Sequence, residues 1–376
     1  MLDKDRNYLV NFSTWRNLDW FLLALIITLF FTGILMLYSA GGGSFSPWAA
    51  SQLKRFIVFL PVMFIALSLN ITFYHKFAYI FYFIGLLMLL YANFAGFSAM
   101  GAQRWINIGF FNFQPSEYMK IALILALSKY FHNLHITKLK NVFFLLTPIM
   151  LTLVPVYLIL KQPDLGTAVI LLGGAVVIFF ISGVNIWKFI LAGLGALAAI
   201  PLIWSALKDY QKQRVLTFLN PENDPLGSGY NIIQSKIAIG SGGFLGQGYL
   251  SGSQSQLNFL PERETDFIFT MLAEEFGFLG SMLLVTVYSL IFFRSLIIAQ
   301  NSVSQFGKYL ATGLCFFIFS HFLINIAMVT GLIPVVGAPL PLISYGGTML
   351  IITMFAFTLI LNVDINRQVQ VSRVSL

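Results

Sequence analysis

Long apolar runs separated by short polar breaks occupy most of the 376 residues of this chain. About ten of these runs approach the roughly 20 apolar residues that a helix needs to cross a bilayer. The pattern predicts an all-α polytopic membrane protein in which residues 1–376 form a single transmembrane domain. We expect about ten helices, at roughly 18–38, 55–71, 77–94, 117–131, 143–160, 167–183, 188–207, 267–293, 309–330 and 349–363.

The composition excludes an ordinary soluble domain. Hydrophobic residues make up 58% of the chain and charged residues 10%, whereas soluble domains are about half apolar and about a quarter charged. The first apolar run, Trp20 to Leu37, is longer than the hydrophobic part of a secretory signal, and more runs follow it, so we expect a retained helix. The single Cys315 excludes an intrachain disulfide and suggests no metal cluster.

The distribution of basic residues predicts the orientation in the membrane. An even number of spans puts both termini on one side, and cytoplasmic loops carry an excess of Lys and Arg. We therefore expect both termini in the cytoplasm and the plasma (inner) membrane as the location, and the net charge of +8 needs no nucleic-acid partner. The side of the termini would hold twelve basic residues, Lys4, Arg6, Arg16, Lys76, Lys129, Lys138, Lys140, Lys188, Arg294, Lys308, Arg367 and Arg373, and the short loops of the other side four, Lys54, Arg55, Arg104 and Lys161.

The longest polar stretch, 208–265, would be an extracytoplasmic loop between helices 7 and 8. It is rich in Gly, Ser, Pro and Asn, which favours turns and short helices over strands. A loop of this length usually works as a lid or a binding loop. Its glycine string GSGGFLGQG, 240–248, lacks the lysine and the strand–turn–helix context of a nucleotide site, so we discount nucleotide binding.

Five of the 14 acidic residues lie within residues 260–280. Glu274 and Glu275 fall inside the eighth predicted helix, where an ionisable side chain costs about 2.5–3.5 kcal/mol. They point about 100° apart on a helix, so we expect at least one of them to line a polar interior cavity. Asp266, where the loop meets the helix, admits two interpretations: a capping residue, or a general base at a cleft on the membrane edge.

Other polar segments are predicted on the same outer face. Glu117 and Lys120, three residues apart, would form either a structural ion pair or a functional one. Arg104 and Trp105 lie in a segment, 101–117, that suits the membrane interface, where an aromatic belt would explain Trp105 but not Arg104.

Two further breaks complete this face. Lys161, Gln162 and Asp164 stand between two helices, and Asp164 can cap the second. Ser344 belongs to a Pro- and Gly-rich break, 334–348, that is typical of a re-entrant loop lining a cavity. A phosphate or pyrophosphate could be held by cations predicted on this side, Arg104, Lys161, Lys236 and Arg263.

Taken together, these segments resemble the SEDS family (shape, elongation, division and sporulation proteins), and its elongation branch more than its division branch. The resemblance covers nearly the full length. One departure is Glu264, where relatives commonly carry His. The motifs that carry the resemblance are, in order, GAQRWINIGFFNFQPSEYMK, KQPDLGTA, NPENDPLGSGYNIIQSKIAIGSGGFLGQG, LPERETDFIFTMLAEEFGFLG and GAPLPLISYGGT.

The resemblance implies a peptidoglycan glycosyltransferase that polymerises lipid II into glycan strands during cell elongation and cell-shape maintenance, releasing the polyprenyl pyrophosphate. It implies a class B penicillin-binding protein (a transpeptidase) and other elongation machinery as partners, and Asp266 as the catalytic acid. A divalent cation, Mg²⁺ or Mn²⁺, is a candidate cofactor. The positions expected around the substrate are Arg104, Trp105, Glu117, Lys120, Lys161, Gln162, Asp164, Lys236, Arg263 and Ser344.

Two other functions fit the same pattern. A lipid-precursor flippase or transporter would also carry buried Glu and Lys, although transporters usually show repeated halves and no internal repeat is visible. A non-catalytic scaffold for a penicillin-binding protein would use the ionisable groups only to fix helix packing.

Overall fold

A computed structural model describes residues 9–10, 12–99, 102–107, 109, 112–207, 209–220, 228–257 and 259–373. Short 3₁₀ helices lie at Phe12–Asn17 and Ile136–Lys140. The α-helices and strands are α1 (Trp20–Ala40), α2 (Trp48–Ser68), α3 (Ile71–Ala95), β1 (Phe97–Ala99), β2 (Ala102–Asn107), β3 (Asn112–Phe113), α4 (Pro115–Asn133), α5 (Val142–Lys161), α6 (Leu165–Ile181), α7 (Ile186–Ala198), α8 (Ile200–Ala206), α9 (Asp209–Leu219), α10 (Ser228–Ser241), α11 (Ser253–Gln256), α12 (Ile268–Asn301), α13 (Gln305–Val329) and α14 (Gly347–Ile365).

Each of the ten predicted apolar runs forms helix. The seventh is divided into α7 and α8, because Pro201 has no N–H to donate into a continuing helix. Within the described residues, seven helices are long and apolar enough to cross a membrane, α1, α2, α3, α5, α12, α13 and α14. The protein is therefore a multi-pass membrane protein, and the total of ten spans stays a prediction.

Side-chain caps begin five of the helices. Each cap is an Asp or Asn whose side-chain oxygen accepts a hydrogen bond from a backbone N–H of the first turn, which satisfies a donor that has no partner within the helix. The capping residues are Asp19, Asn70, Asn141, Asp164 and Asn185.

The helices α4 and α14 form the centre of the bundle. Almost every residue of both is buried, and helices that are buried on all sides lack a polar face. In contrast, α7 has no buried residue and lies at the periphery. Large exposed apolar side chains such as Phe94, Phe143 and Leu191 face outward, as expected where lipid replaces water.

The loop predicted over 208–265 contains the short helices α9, α10 and α11, although residues 208, 221–227 and 258 lie outside the described part of the chain. Within the segment predicted to lie in the interface, 101–117, the described residues form β2, β3 and the start of α4, and the interfacial position stays a prediction. There, β1, β2 and β3 make an antiparallel sheet in which Phe97 pairs with Trp105 and Ile106 with Phe113. The alternation of polar and apolar residues around Arg104 was therefore a strand pattern.

Both ends of the described chain lie at one end of the bundle. Val10 N donates to Ser68 O at 2.8 Å, at the turn between α2 and α3. Arg367, after α14, donates to Asn17 Oδ1 at 3.3 Å. The motifs predicted on the outer face begin or end helices at the opposite end of the bundle.

The glycine string 240–248 forms backbone hydrogen bonds with α12 where that helix is interrupted. At Gly277 the backbone leaves the helix, with φ 65°. Phe278 N then donates to Gly243 O at 2.9 Å, and Gln247 N donates to Glu274 O at 3.0 Å. The string packs backbone against backbone, which explains its composition without a nucleotide.

Candidate active site

Asp266 lies in a tight turn, residues 261–267, directly before α12. Phe267 occupies the N-cap position of α12, one residue after Asp266, and its side chain makes no capping hydrogen bond. Asp266 is half-buried, and its Oδ2 faces Gly337 so closely that a Cβ on that glycine would come within 3.3 Å. Gly337 also has φ 74°, a conformation that other residues adopt at a cost.

The Asp266 turn is bound to the Pro- and Gly-rich segment 331–346. Ser344 Oγ donates to Thr265 O at 2.6 Å and accepts from Leu340 N at 2.7 Å. Tyr345 N donates to Glu264 O at 2.8 Å. The predicted site residue Ser344 thus holds the turn through hydrogen bonds to the backbone.

Asn325, near the end of α13, is the second link between the turn and the segment. Its Nδ2 donates to Asp266 O at 2.9 Å and to Ala338 O at 2.7 Å. A single buried amide therefore fixes the distance between the backbone of the acid and the segment 331–346 opposite it.

Lys236 approaches the same segment from α10. Its side chain crosses Gly331, where a Cβ would lie 2.3 Å from Lys236 Cε. The helix is fixed one residue earlier, where Ser235 Oγ lies 2.7 Å from Thr270 Oγ1 and donates to Val329 O at 2.7 Å. Lys236 remains exposed, so its ammonium group is available to an anion.

Arg55, in α2, was missed by the sequence analysis. It counted only as a loop charge, yet its Nη2 donates to Tyr345 OH at 3.1 Å and its guanidinium lies 4.8 Å from that ring. Its buried Nη1 has no hydrogen-bond partner among the described residues. Gln52, one turn earlier, donates to Ser344 O at 3.0 Å. The available signal in the sequence was the spacing of Gln52 and Arg55, which are three residues apart in one helix.

A second group of predicted residues surrounds the start of α6. Arg104 donates to Gln162 O at 2.8 Å and to Pro163 O at 2.5 Å, and its Nη1 lies 4.0 Å from Asp164 Oδ2. Asp164 caps α6 as predicted, through Thr167 N at 3.2 Å. Gln162 is buried and donates to Leu89 O.

The residues around the Asp266 turn and those around the start of α6 meet at the beginning of α14. Gln114 Nε2 donates to Asp164 Oδ2 at 3.2 Å, and Gln114 N donates to Thr348 Oγ1 at 3.1 Å. Gly166, in the first turn of α6, lies against Val336 O. The segment 331–346 is thus the common contact of both groups.

Glu117 and Lys120 form the predicted ion pair, with Nζ 2.7 Å from Oε1. The pair is buried, and Lys120 Nζ lies also 2.8 Å from His321 Nε2 of α13. A lone His gave no signal in the sequence, because its partner lies 201 positions away. Within the described residues, Glu117 Oε2 and His321 Nδ1 have no hydrogen-bond partner.

Glu274 and Glu275 are buried and accept hydrogen bonds from the long loop, and the cavity expected beside one of them stays a prediction. Glu274 accepts from Gln254 N at 2.7 Å, Ser255 N at 3.0 Å and Ser255 Oγ at 2.5 Å. Glu275 accepts from Ser39 Oγ of α1 and from Gln256 Nε2. Their different directions are confirmed, and the donors of α11 explain why burying Glu274 is tolerated.

Three predicted residues remain, Lys161, Arg263 and Trp105. Lys161 is exposed, with Nζ 4.8 Å from the Tyr157 ring. Arg263 donates to Ser255 O, so its guanidinium also braces the loop. Trp105 is half-buried on β2. In the described part of the chain no three His, Cys, Asp or Glu side chains are grouped so as to hold a metal ion.

Comparison with known proteins decides the family. The profile described as "Cell cycle protein", which covers FtsW, RodA and SpoVE, matches residues 18–369. The chain belongs to this family. The resemblance to the SEDS proteins is thereby confirmed, and the segments described above are segments of a SEDS protein.

Relatives of this SEDS chain match over almost their full length. It is 40% identical to the peptidoglycan glycosyltransferase MrdB of Escherichia coli K12, over 94% of this chain and 95% of MrdB. It is 36% identical to the stage V sporulation protein E of Bacillus subtilis, over 91% and 96%.

Solved structures confirm the fold. A chain of a peptidoglycan synthase complex, described for structural coordination of polymerization and crosslinking, has 34% identity and a TM-score of 0.80 over 93% of this chain and 98% of that one. The rod shape determining protein RodA of Thermus thermophilus has 28% identity and a TM-score of 0.70 over 94% and 98%.

Proposed function

We propose that this protein is a peptidoglycan glycosyltransferase that polymerises lipid II during cell elongation. The relative of 40% identity is named for that activity. The observation that carries the proposal is Asp266, half-buried against Gly337 in a turn held by Ser344 and Asn325, with the exposed Lys236 of α10 packed against Gly331 of the segment that contains Gly337.

In the proposed reaction, Asp266 removes the proton of the acceptor 4-hydroxyl. The hydroxyl oxygen attacks the anomeric carbon of a lipid-linked glycan, the new C–O bond forms, and the bond from that carbon to the pyrophosphate breaks. A base working without a carboxylate nucleophile implies one inverting displacement. The electron pair of the broken bond leaves on the polyprenyl pyrophosphate.

Cations must compensate the charge on the leaving pyrophosphate. Of the four that the sequence suggests, Lys236 has the strongest support, because Arg104 and Arg263 already donate to backbone carbonyls and Lys161 is on the exposed rim. Arg55 joins this role, since its Nη2 donates to Tyr345 OH and its Nη1 has no hydrogen-bond partner among the described residues.

A divalent cation fits the site only together with substrate. Mg²⁺ is commonly bound by one or two carboxylates and by substrate phosphates. In the described part of the chain no three carboxylate, His or Cys side chains are grouped to hold such an ion, so substrate oxygens would have to be its main ligands, and Mg²⁺ or Mn²⁺ would add charge compensation for the pyrophosphate.

The orientation and the partners are part of the same proposal. The excess of Lys and Arg at the end that holds the termini supports a cytoplasmic position for both termini and an extracytoplasmic position for the Asp266 turn. The similarity to a chain of a synthase complex that coordinates polymerization with crosslinking supports a class B penicillin-binding protein as partner. A growing glycan strand would be the second substrate.

Reconstitution tests the proposal against its rivals. Purified protein in liposomes containing fluorescent lipid II should form glycan polymer without any partner active site. Movement of the headgroup across the bilayer without polymer would replace the proposal by a flippase. Neither polymer nor movement, in protein shown to be folded, would leave only the scaffold.

A further inference from the structure

A cavity at the opposite end of the bundle, among the ends of α1, α12 and α14, has no role in the proposed reaction. Its volume is about 360 Å³, within the roughly 300–1,000 Å³ of pockets that bind small molecules. We call it the arginine pocket, and its charged lining is Arg16, Asp19, Arg294, Asp364 and Arg367.

The carboxylates of the arginine pocket are already engaged. Asp19 Oδ2 lies 2.7 Å from Arg294 Nη2 and accepts from Nε at 2.8 Å, while Oδ1 caps α1. Asp364 is buried, and Arg367 Nη1 lies 3.9 Å from it. Three arginines against two aspartates leave one positive charge, and an anion would be its natural complement.

Two arginines remain available to that anion. Arg16 is exposed and has no hydrogen bond or ion pair within the described residues. The Arg367 side chain is 38% exposed, with only long contacts, to Asp364 and to Asn17 at 3.3 Å. Guanidinium groups bind phosphate oxygens through paired N–H donors, so the two available arginines favour a phosphate group as the anion.

Aromatic side chains extend the arginine pocket toward lipid. Trp20 and Phe21, in the first turn of α1, are 65% and 51% exposed, and the Arg294 guanidinium lies 5.8 Å from the Phe21 ring. Trp is enriched where a spanning helix meets the membrane surface. A ligand here meets cations on one side and an apolar surface on the other.

We propose that the arginine pocket binds the phosphate headgroup of an anionic membrane phospholipid, with the glycerol backbone beside Trp20 and Phe21. The chemistry shared with any soluble phosphate ester is the contact with Arg16 and Arg367. The adjoining apolar surface favours the lipid, because basic pockets between spanning helices bind lipid headgroups.

Native mass spectrometry of the detergent-purified full chain tests the proposal. Short-chain phosphatidylglycerol is titrated against wild type, Arg16→Gln, Arg16→Gln/Arg367→Gln and the control Lys140→Gln, which removes an exposed charge outside the pocket. Each basic residue near anionic lipid adds to the binding free energy. Loss of one arginine should therefore lower affinity about fivefold, and loss of both about 25-fold. The control should change affinity by less than about twofold.

Parallel titrations identify the source of the phosphate. Glycerol phosphate and phosphatidylcholine should both bind at least about tenfold more weakly than phosphatidylglycerol. Equal binding of glycerol phosphate would overturn the assignment to a lipid. An equal loss in Lys140→Gln, or none in the double variant, would overturn the assignment to this pocket. Circular dichroism of each variant establishes that its helices are intact, and Arg16→Gln alone, which removes no hydrogen bond or ion pair made within the described residues, keeps the test valid if Arg367→Gln unfolds.

Discussion

Replacing Asn325 by Leu should disable the enzyme without removing any group that contacts substrate. The change keeps the size of the side chain and removes both hydrogen bonds that tie Asp266 O and Ala338 O together. A buried carbonyl left without its donor costs about 1–3 kcal/mol. Since Asp266 is half-buried and its carbonyl can be partly rehydrated, we expect about 2–4 kcal/mol of local destabilisation in total.

We expect Asn325→Leu to lower the catalytic rate more than it lowers the stability of the whole fold. A displacement of about 1 Å of a reacting group can reduce a rate about 100-fold, so kcat for lipid II polymerisation by Asn325→Leu should fall at least about tenfold, with KM altered less than about threefold. Steady-state rates on purified, monodisperse protein supply both constants. Ser320→Ala is the matched control on the same helix, because among the described residues Ser320 donates to Phe317 O alone, and its rate should stay near wild type. An undiminished kcat in Asn325→Leu would refute the bracing role.

Three further predictions concern other parts of the structure. Glu274→Gln should loosen α11, because an amide cannot accept both backbone donors of residues 254 and 255 as a carboxylate does; hydrogen exchange there should rise at least about tenfold, and unchanged exchange would contradict the anchoring role. Lys120→Met should destabilise the protein by about 3–5 kcal/mol by leaving Glu117 buried without its partner, and the double variant Glu117→Gln/Lys120→Met should recover part of that loss in thermal unfolding. A double variant no more stable than Lys120→Met would argue against the pair. Gly337→Ala should cost about 1–2 kcal/mol through its positive φ and should reduce polymerisation further by pressing on Asp266; retained activity would show that the close approach is unimportant.

Hydrophobic runs predict the helices well because lipid requires every span to satisfy its own backbone hydrogen bonds. The ordering of helices, the ion pair of Glu117 with Lys120 and the cap at Asp164 all follow from local spacing. The short strands around Arg104 did not, because a polar and aromatic alternation over a few residues suits an interfacial segment as well as a strand.

Contacts between distant segments could not be predicted from a single sequence. The partners of Glu274 and Glu275, at 253–256 and in α1, become their neighbours only when the loop folds back. His321 and Arg55 were missed for the same reason: Lys120 and Tyr345 are 201 and 290 positions away. The charge pattern of a helix reveals that an ionisable group needs a partner, but only the tertiary structure identifies it.

The rate of lipid II polymerisation by Asp266→Asn, compared with Glu264→Gln, tests the central claim most directly. The two acids share one turn, and only Asp266 faces Gly337. General-base catalysis contributes about 10²–10⁴-fold, so we expect Asp266→Asn to lose at least about 100-fold in kcat while it stays folded in the membrane, and Glu264→Gln to stay within about fivefold of wild type. Polymerisation by Asp266→Asn at the wild-type rate would contradict the assignment of this carboxylate as the base.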